Sequence, residues 1–317
     1  MPLSLYCRQR KRLFPGRSGD ACKRREHFQV DISDYPSKNA NTHQIHSQPL
    51  SAKEESVMSE SVDTLKQGLK ELLMTIPGVI AAWEGGSAAT GRLDEYSDLD
   101  LAIVTRSVSA DEVFASLEQW FQHRYGIKRR FRLPEPTWHS MSQCFYVLEG
   151  MPDFFYCDIC VVDSDNPRKF NEPDRHGNCV IWFDPQNVCE AHPTPPEELE
   201  ALRTRFLGIA TDMDFLSLIE LRKALARDDW MASHMNWMIF LNRHLIILMN
   251  LKYRPCKVDF GIRYAGSEFP AEEAKSLADL LRVSSCADIM QKLPRALAMY
   301  DELKRDLLPG SPSVDLT

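Results

Sequence analysis

Two aspartates stand inside an apolar run, Asp98-Leu99-Asp100-Leu101-Ala102-Ile103-Val104. Aspartate is a poor strand former, and a carboxylate is costly to bury unless it is paired or bound to a cation. A fold that places two of them in one strand needs a use for them. Strand side chains alternate, so Asp98 and Asp100 share one face while Leu99 and Leu101 share the other. At a rise of ~3.3 Å per residue the two acids lie roughly 7 Å apart at Cα. That spacing suits magnesium, which takes carboxylates, phosphate oxygens and water, either singly or as two ions ~3.5–4 Å apart.

What precedes the pair fits the same chemistry. Val79-Ile80-Ala81-Ala82-Trp83-Glu84 reads as a strand, and Gly85-Gly86 ends it. Adjacent glycines admit positive φ and a close approach of backbone to a ligand. Ser87 then stands ahead of the helix-tolerant Ala88-Ala89-Thr90, where free N–H groups and a hydroxyl offer donors to an anion. Gly91 stops this short helix, and residues 92–97 form a polar connection to the aspartate strand.

Gly86-Ser87 followed by Asp98-x-Asp100 resembles the pattern of the nucleotidyltransferase superfamily, and within it the antibiotic adenylyltransferases, over roughly residues 62–190. The resemblance implies that Gly86 and Ser87 bind the triphosphate and that Asp98 and Asp100 bind Mg2+. It further implies a third acid on a neighbouring strand and a lysine reaching the triphosphate from a helical C-terminal domain. Lys257 matches that lysine loosely, with Arg263 as the other candidate.

For the third acid the sequence offers Asp158. Residues 142–148 form a strand candidate, 149–153 a turn with Gly150 and Pro152, and 154–162 a second strand with Asp158 in its middle. Asp158 is therefore placed beside Asp98 and Asp100, as third metal ligand or as general base for the attacking hydroxyl. Asp163 falls on the opposite face by parity and reads as a turn residue; Glu149 and Asp153, in the hairpin turn, are weaker alternatives. Cys157-x-x-Cys160 invites a zinc or redox reading, but positions three apart on a strand face opposite ways and no second Cys-x-x-Cys follows. Both cysteines are expected to be packing residues.

Around this centre, residues 62–76 carry Leu65, Leu69, Leu72, Leu73 and Ile76 at helical spacing. Ser109 with Asp111 and Glu112 starts another helix, and residues 178–184 read as a final strand. After the linker His192-Pro193-Thr194-Pro195-Pro196 the pattern turns helical, with a long helix over 231–251. Arg222, Arg243, His234 and His244 in that region are read as structural before functional. The fold expected is an α/β (α+β) nucleotidyltransferase-like mixed sheet with flanking helices, plus a C-terminal all-α helical bundle. The expected division is a disordered or non-native extension over 1–60, a catalytic domain over 61–192 and a helical acceptor-binding domain over 193–310.

A net charge of −7 argues against a nucleic-acid groove and favours a small acceptor. No apolar run reaches membrane-spanning length, and nine cysteines without framework spacing point to a reducing, cytoplasmic setting. The expected reaction is Mg2+-dependent transfer of a nucleoside monophosphate from a nucleoside triphosphate, with ATP the expected donor, to a small-molecule hydroxyl, releasing pyrophosphate. Two rivals are protein adenylylation, which the long helical half disfavours, and a nucleotide-binding regulator without turnover, which three intact aspartates disfavour.

Overall fold

The β-branched and aromatic runs pair into a single six-stranded sheet. The computed structural model describes residues 52–166 and 170–309. The strands are β1 (Val79–Glu84), β2 (Leu99–Thr105), β3 (Ile127–Arg132), β4 (Ser142–Leu148), β5 (Cys157–Asp163) and β6 (Val180–Phe183). Their spatial order is β3-β4-β5-β2-β1-β6. Only β2 and β5 run parallel; the other neighbours are antiparallel. The parallel pair brings both strand starts to the same end of the sheet, and its register sets Asp100 opposite Asp158.

Alternation sorts the side chains onto two faces. On one face Leu99, Leu101 and Ile103 of β2 and Cys157, Ile159 and Val161 of β5 pack with α1 (Ala52–Thr75) and α3 (Ala110–Arg124). Those helices contribute Leu65, Leu69 and Leu73, and Val113, Phe114, Leu117 and Phe121. A reciprocal capping box starts α3: the Glu112 amide donates to the Ser109 hydroxyl, and the Ser109 amide to the Glu112 carboxylate. On the other face a smaller core gathers Ile80, Ala81, Trp83, Val104, Val162, Met141 and Cys189, with Ala102 and Cys160 against it. Cys157 and Cys160 thus go to opposite faces as free thiols, as strand parity requires.

Three local expectations change. Helix α1 begins at Ala52, well before Val62 and inside the segment expected to lack fold; residues 1–51 lie outside the described residues. Strand β5 starts only at Cys157, which puts Asp158 near its entrance and not at its middle. The edge strand β3, Ile127-Lys128-Arg129-Arg130-Phe131-Arg132, has no counterpart in the reading above because its charges mask its period. They are accommodated because Arg130 pairs with Glu118, and Arg132 with Asp111, on α3.

Beyond the sheet, after the short α4 (Pro173–His176), the chain is helical: α5 (Pro196–Thr211), α6 (Asp214–Ala226), α7 (Trp230–Phe240), α8 (Ile246–Tyr253), α9 (Ala265–Glu268), α10 (Ala271–Leu281) and α11 (Cys286–Leu307). The helix expected over 231–251 is α7 and α8 joined by a wider π turn at Leu241–Leu245. Trp237, Phe240, Leu245, Leu248 and Tyr300 centre a core of its own, whose buried members all lie between Leu207 and Leu303. Those of the sheet cores lie between Leu65 and Cys189. Buried His244 is hydrogen-bonded to the Ala210 carbonyl and the Ser217 hydroxyl and is held below its ordinary pKa by burial. Arg222 and Arg243 are exposed. No described helix is long and apolar enough to cross a membrane.

Candidate active site

The site forms where β1 ends against the start of β2. The Gly85 amide donates to the Asp100 carbonyl at 2.8 Å, which closes the turn onto the aspartate strand. Gly86 follows with φ +53°, and a Cβ there would lie 1.6 Å from Asp100 Oδ2. Only glycine serves at this position, for backbone conformation and for clearance alike. Gly86 opens the one-turn helix α2 (Gly86–Thr90), which ends at left-handed Gly91. Ser87 is buried in it, and neither its Oγ nor Asp100 Oδ2 has a hydrogen-bond partner. Buried polar atoms are nearly always satisfied, so two orphans beside one glycine leave a donor and an acceptor there that a ligand can take up.

The acids converge from two strands. Asp98 immediately precedes β2, Asp100 lies on it, and Asp158 is its in-register neighbour on β5, one strand spacing of ~4.8 Å away. Burial, and then the neighbouring Asp98 carboxylate, raise the Tyr156 pKa. Burial, then the charges of Asp98 and Asp158, push Asp100 up to about 7, with Arg263 acting in the opposite sense. Burial also pushes Asp158 up to about 6, Asp98 adds to the rise, and a hydrogen bond from Gln143 counters it. The Gln143 amide donates to Asp158 Oδ1 at 2.6 Å. Carboxylates crowded and desolvated to this degree gain from a cation between them.

The donor set suits a hard divalent ion: it offers oxygens only, one of them an unsatisfied buried carboxylate oxygen beside the Gly86 cradle. Among the described residues no group of three or more His, Cys, Asp or Glu side chains is placed to hold a metal ion by itself. Magnesium at phosphoryl-transfer sites is commonly completed by substrate phosphates and water.

Other candidates fall out differently. Asp163 is exposed and accepts from the Asp165 amide as a turn residue. Glu149 and Asp153 are exposed in the β4–β5 turn. Lys257 Nζ is held by Glu268 at 2.8 Å, and the same carboxylate takes Arg254 at 2.8 Å and Arg92 at 3.0 Å. Arg92 follows α2, so this cluster ties the glycine turn to the helical half; Arg175–Asp259, at 2.8 Å, is a second tie. Arg92, Gln143 and Tyr156 had no separate signal in the sequence, because what distinguishes them is a partner far along the chain. On the side of Asp158 away from β2, register places Phe145 and then Phe131 on the same face, their rings stacked at 6.4 Å.

Residues 62–137 match the family model of the nucleotidyltransferase domain. No curated protein matches the chain. Among solved structures, an aminoglycoside 6-adenyltransferase from Bacillus subtilis is similar at 12% identity, over 75% of this chain and 86% of its own, with a TM-score of 0.22. An overlay that loose adds nothing to the domain match. The matched segment contains the glycine turn, Ser87, Asp98 and Asp100, so the residues gathered at this site lie within a stretch similar to the nucleotidyltransferase domain.

Proposed function

We propose that this enzyme transfers the nucleoside monophosphate of ATP to a hydroxyl of a small molecule, with Mg2+ as cofactor and pyrophosphate as leaving group. The observation that supports it most is the pair of orphaned buried groups, Ser87 Oγ and Asp100 Oδ2, on either side of Gly86. A triphosphate seated there satisfies the serine, and a cation satisfies the aspartate. Asp98, Asp100 and Asp158 would hold Mg2+, which supplies charge neutralisation on the phosphate oxygens.

The chain's own contribution is positioning. Gly86 keeps the turn low against β2 so that phosphates approach the backbone, and the Ser87 hydroxyl donates to a phosphate oxygen. With the phosphates on the β1 side, the acceptor enters from the β5–β4 side, where Asp158 meets the open row of Phe145 and Phe131. Asp158 orients the acceptor hydroxyl or takes its proton. Attack in line on the α-phosphorus expels pyrophosphate. Lys257 and Arg263 are the helical-half cations assigned to the triphosphate, Lys257 by exchanging Glu268 for phosphate. On this reading residues 61–192 are the catalytic domain and 193–310 the acceptor-binding domain, in line with their separate cores.

The test is transfer of label from α-labelled ATP in the presence of Mg2+ across hydroxyl-bearing acceptors, aminoglycosides and lincosamides first and protein acceptors beside them. Labelled small molecule with wild type and none with Asp100→Asn is the expected result. Label on protein alone, or equal transfer by the variant, overturns it.

A further inference from the structure

Among the described residues one polar side chain, Gln143, is bonded to Asp158; it is itself held by a buried histidine, and the sense of every bond in that chain is fixed. His139, on the loop between β3 and β4, is only 4% exposed, flanked edge-on by the rings of Trp138 at 4.9 Å and Phe170 at 5.9 Å. Its Nδ1 accepts from the Met141 backbone amide at 3.2 Å. A backbone N–H can only donate, so Nδ1 carries no proton. The Thr137 hydroxyl, also near Nδ1 at 3.3 Å, donates to the Met141 carbonyl at 2.6 Å. Burial holds the imidazole below its ordinary pKa, so it is neutral and its single proton sits on Nε2. Nε2 lies 2.9 Å from Gln143 Oε1, and a protonated nitrogen there selects the carbonyl end of the amide. The NH2 end is then left to face Asp158 Oδ1, at 2.6 Å.

We infer that His139 and Gln143 are positioning residues: a relay from the Met141 amide through His139 and Gln143 engages one oxygen of Asp158 and leaves the other for the acceptor hydroxyl. The last clause rests on the nucleotidyl-transfer reading; the relay does not. An amide turned the other way would set its carbonyl against the Asp158 carboxylate and its NH2 against the Nε2–H of His139, so Asp158 and His139 select the same orientation. The histidine reinforces that orientation, as outer partners of catalytic and metal-binding groups do elsewhere. Asp158 enters the site at the beginning of its strand, where the ladder constrains it less than residues further in. Cross-strand order puts Gln143 opposite Cys160 and Phe145 opposite Asp158, so the glutamine reaches diagonally along the open face to its partner.

The experiment has two arms. In the first, 15N-labelled wild-type protein without nucleotide is examined by NMR from pH 6 to 8. A His139 signal of the neutral, Nε2-protonated form throughout is expected, with Gln143 side-chain amide protons slow to exchange. A proton on Nδ1, or a fast-exchanging Gln143 amide, overturns the relay. In the second, His139→Phe, Gln143→Leu and the double variant, each checked for folding by circular dichroism, are assayed for pyrophosphate release from Mg·ATP into water. Each single variant is expected to lose roughly 10–100-fold in kcat, the range for outer-partner changes, with KM for ATP within about twofold. The double variant is expected to fall no further than Gln143→Leu, because members of one chain are not additive. Additive losses, or losses confined to KM, overturn the positioning role. Wild type that releases no pyrophosphate into water or onto any of the hydroxyl acceptors defeats the transfer reading and leaves the first arm to decide the relay.

Discussion

Asp100→Asn should make the metal-free protein more stable while ending its activity, and the pH dependence of that gain follows from the site. In the folded protein burial and two neighbouring carboxylates lift Asp100 from 3.8 to about 7. Between those values the folded state holds a proton that the unfolded state has released, so folding stability declines as pH rises through this window and stays reduced above it. At ~1.4 kcal/mol per pH unit the ceiling is roughly 4 kcal/mol. Asp98 and Asp158 share the repulsion and water reaches this half-buried group, so we expect about 1–3 kcal/mol at pH 8. Asparagine cannot ionise and is free of the penalty. Thermal unfolding in EDTA should show the melting temperature of the variant pulling away from wild type between about pH 4 and pH 7 and running parallel above. At roughly 2–4 °C per kcal/mol for a chain of this size the gap is easily read. Mg2+ should stabilise wild type and leave Asp100→Asn nearly unmoved. A gap that does not widen with pH, or a variant less stable than wild type at pH 8, refutes the reasoning.

Gly86→Ala should lose activity and about 1–2 kcal/mol of stability from backbone conformation alone, more once Asp100 is displaced; urea unfolding checks it. Ser87→Ala should leave the urea midpoint unchanged or slightly raised, because it removes an unsatisfied buried hydroxyl. It should also raise KM for ATP roughly tenfold, the worth of one hydrogen bond to a charged phosphate. Glu268→Ala leaves buried Arg254 without its carboxylate and should cost about 2–4 kcal/mol by urea unfolding. Lys257→Ala and Arg263→Ala should each raise KM for ATP several-fold at unchanged kcat; unaltered kinetics in both would remove the helical-half cations from triphosphate binding.

Much of the sheet was legible because period-2 alternation is a local signal. The parity that set Asp98 with Asp100, and Cys157 against Cys160, needed no partner strand. Asp158 was legible for another reason: a carboxylate in an apolar run is an energetic anomaly wherever it occurs. Strand β3 was hidden because Arg130 and Arg132 are tolerated by acids on α3, a contact made across the β3–α3 corner and absent from the strand itself. The π turn at 241–245 leaves the apolar pattern unbroken, so the segment read as one helix. Within the site, Lys257 was placed by likeness alone, and what it touches, Glu268, is a matter of tertiary packing. His139 and Gln143 were missed because their meaning lies in bond direction, which only coordinates reveal.

The two halves of this molecule meet through Arg92–Glu268 and Arg175–Asp259, with Arg92 also over the Tyr264 ring and His176 against Phe260, while each apolar core stays within its own half. The ionic part of such a seam is the part that added electrolyte weakens, least where the pair is buried. Arg92 directly follows the glycine turn, so on the nucleotidyl-transfer reading an arriving polyanion competes with Glu268 for the same guanidinium. On that reading, cargo and seam draw on one set of charges.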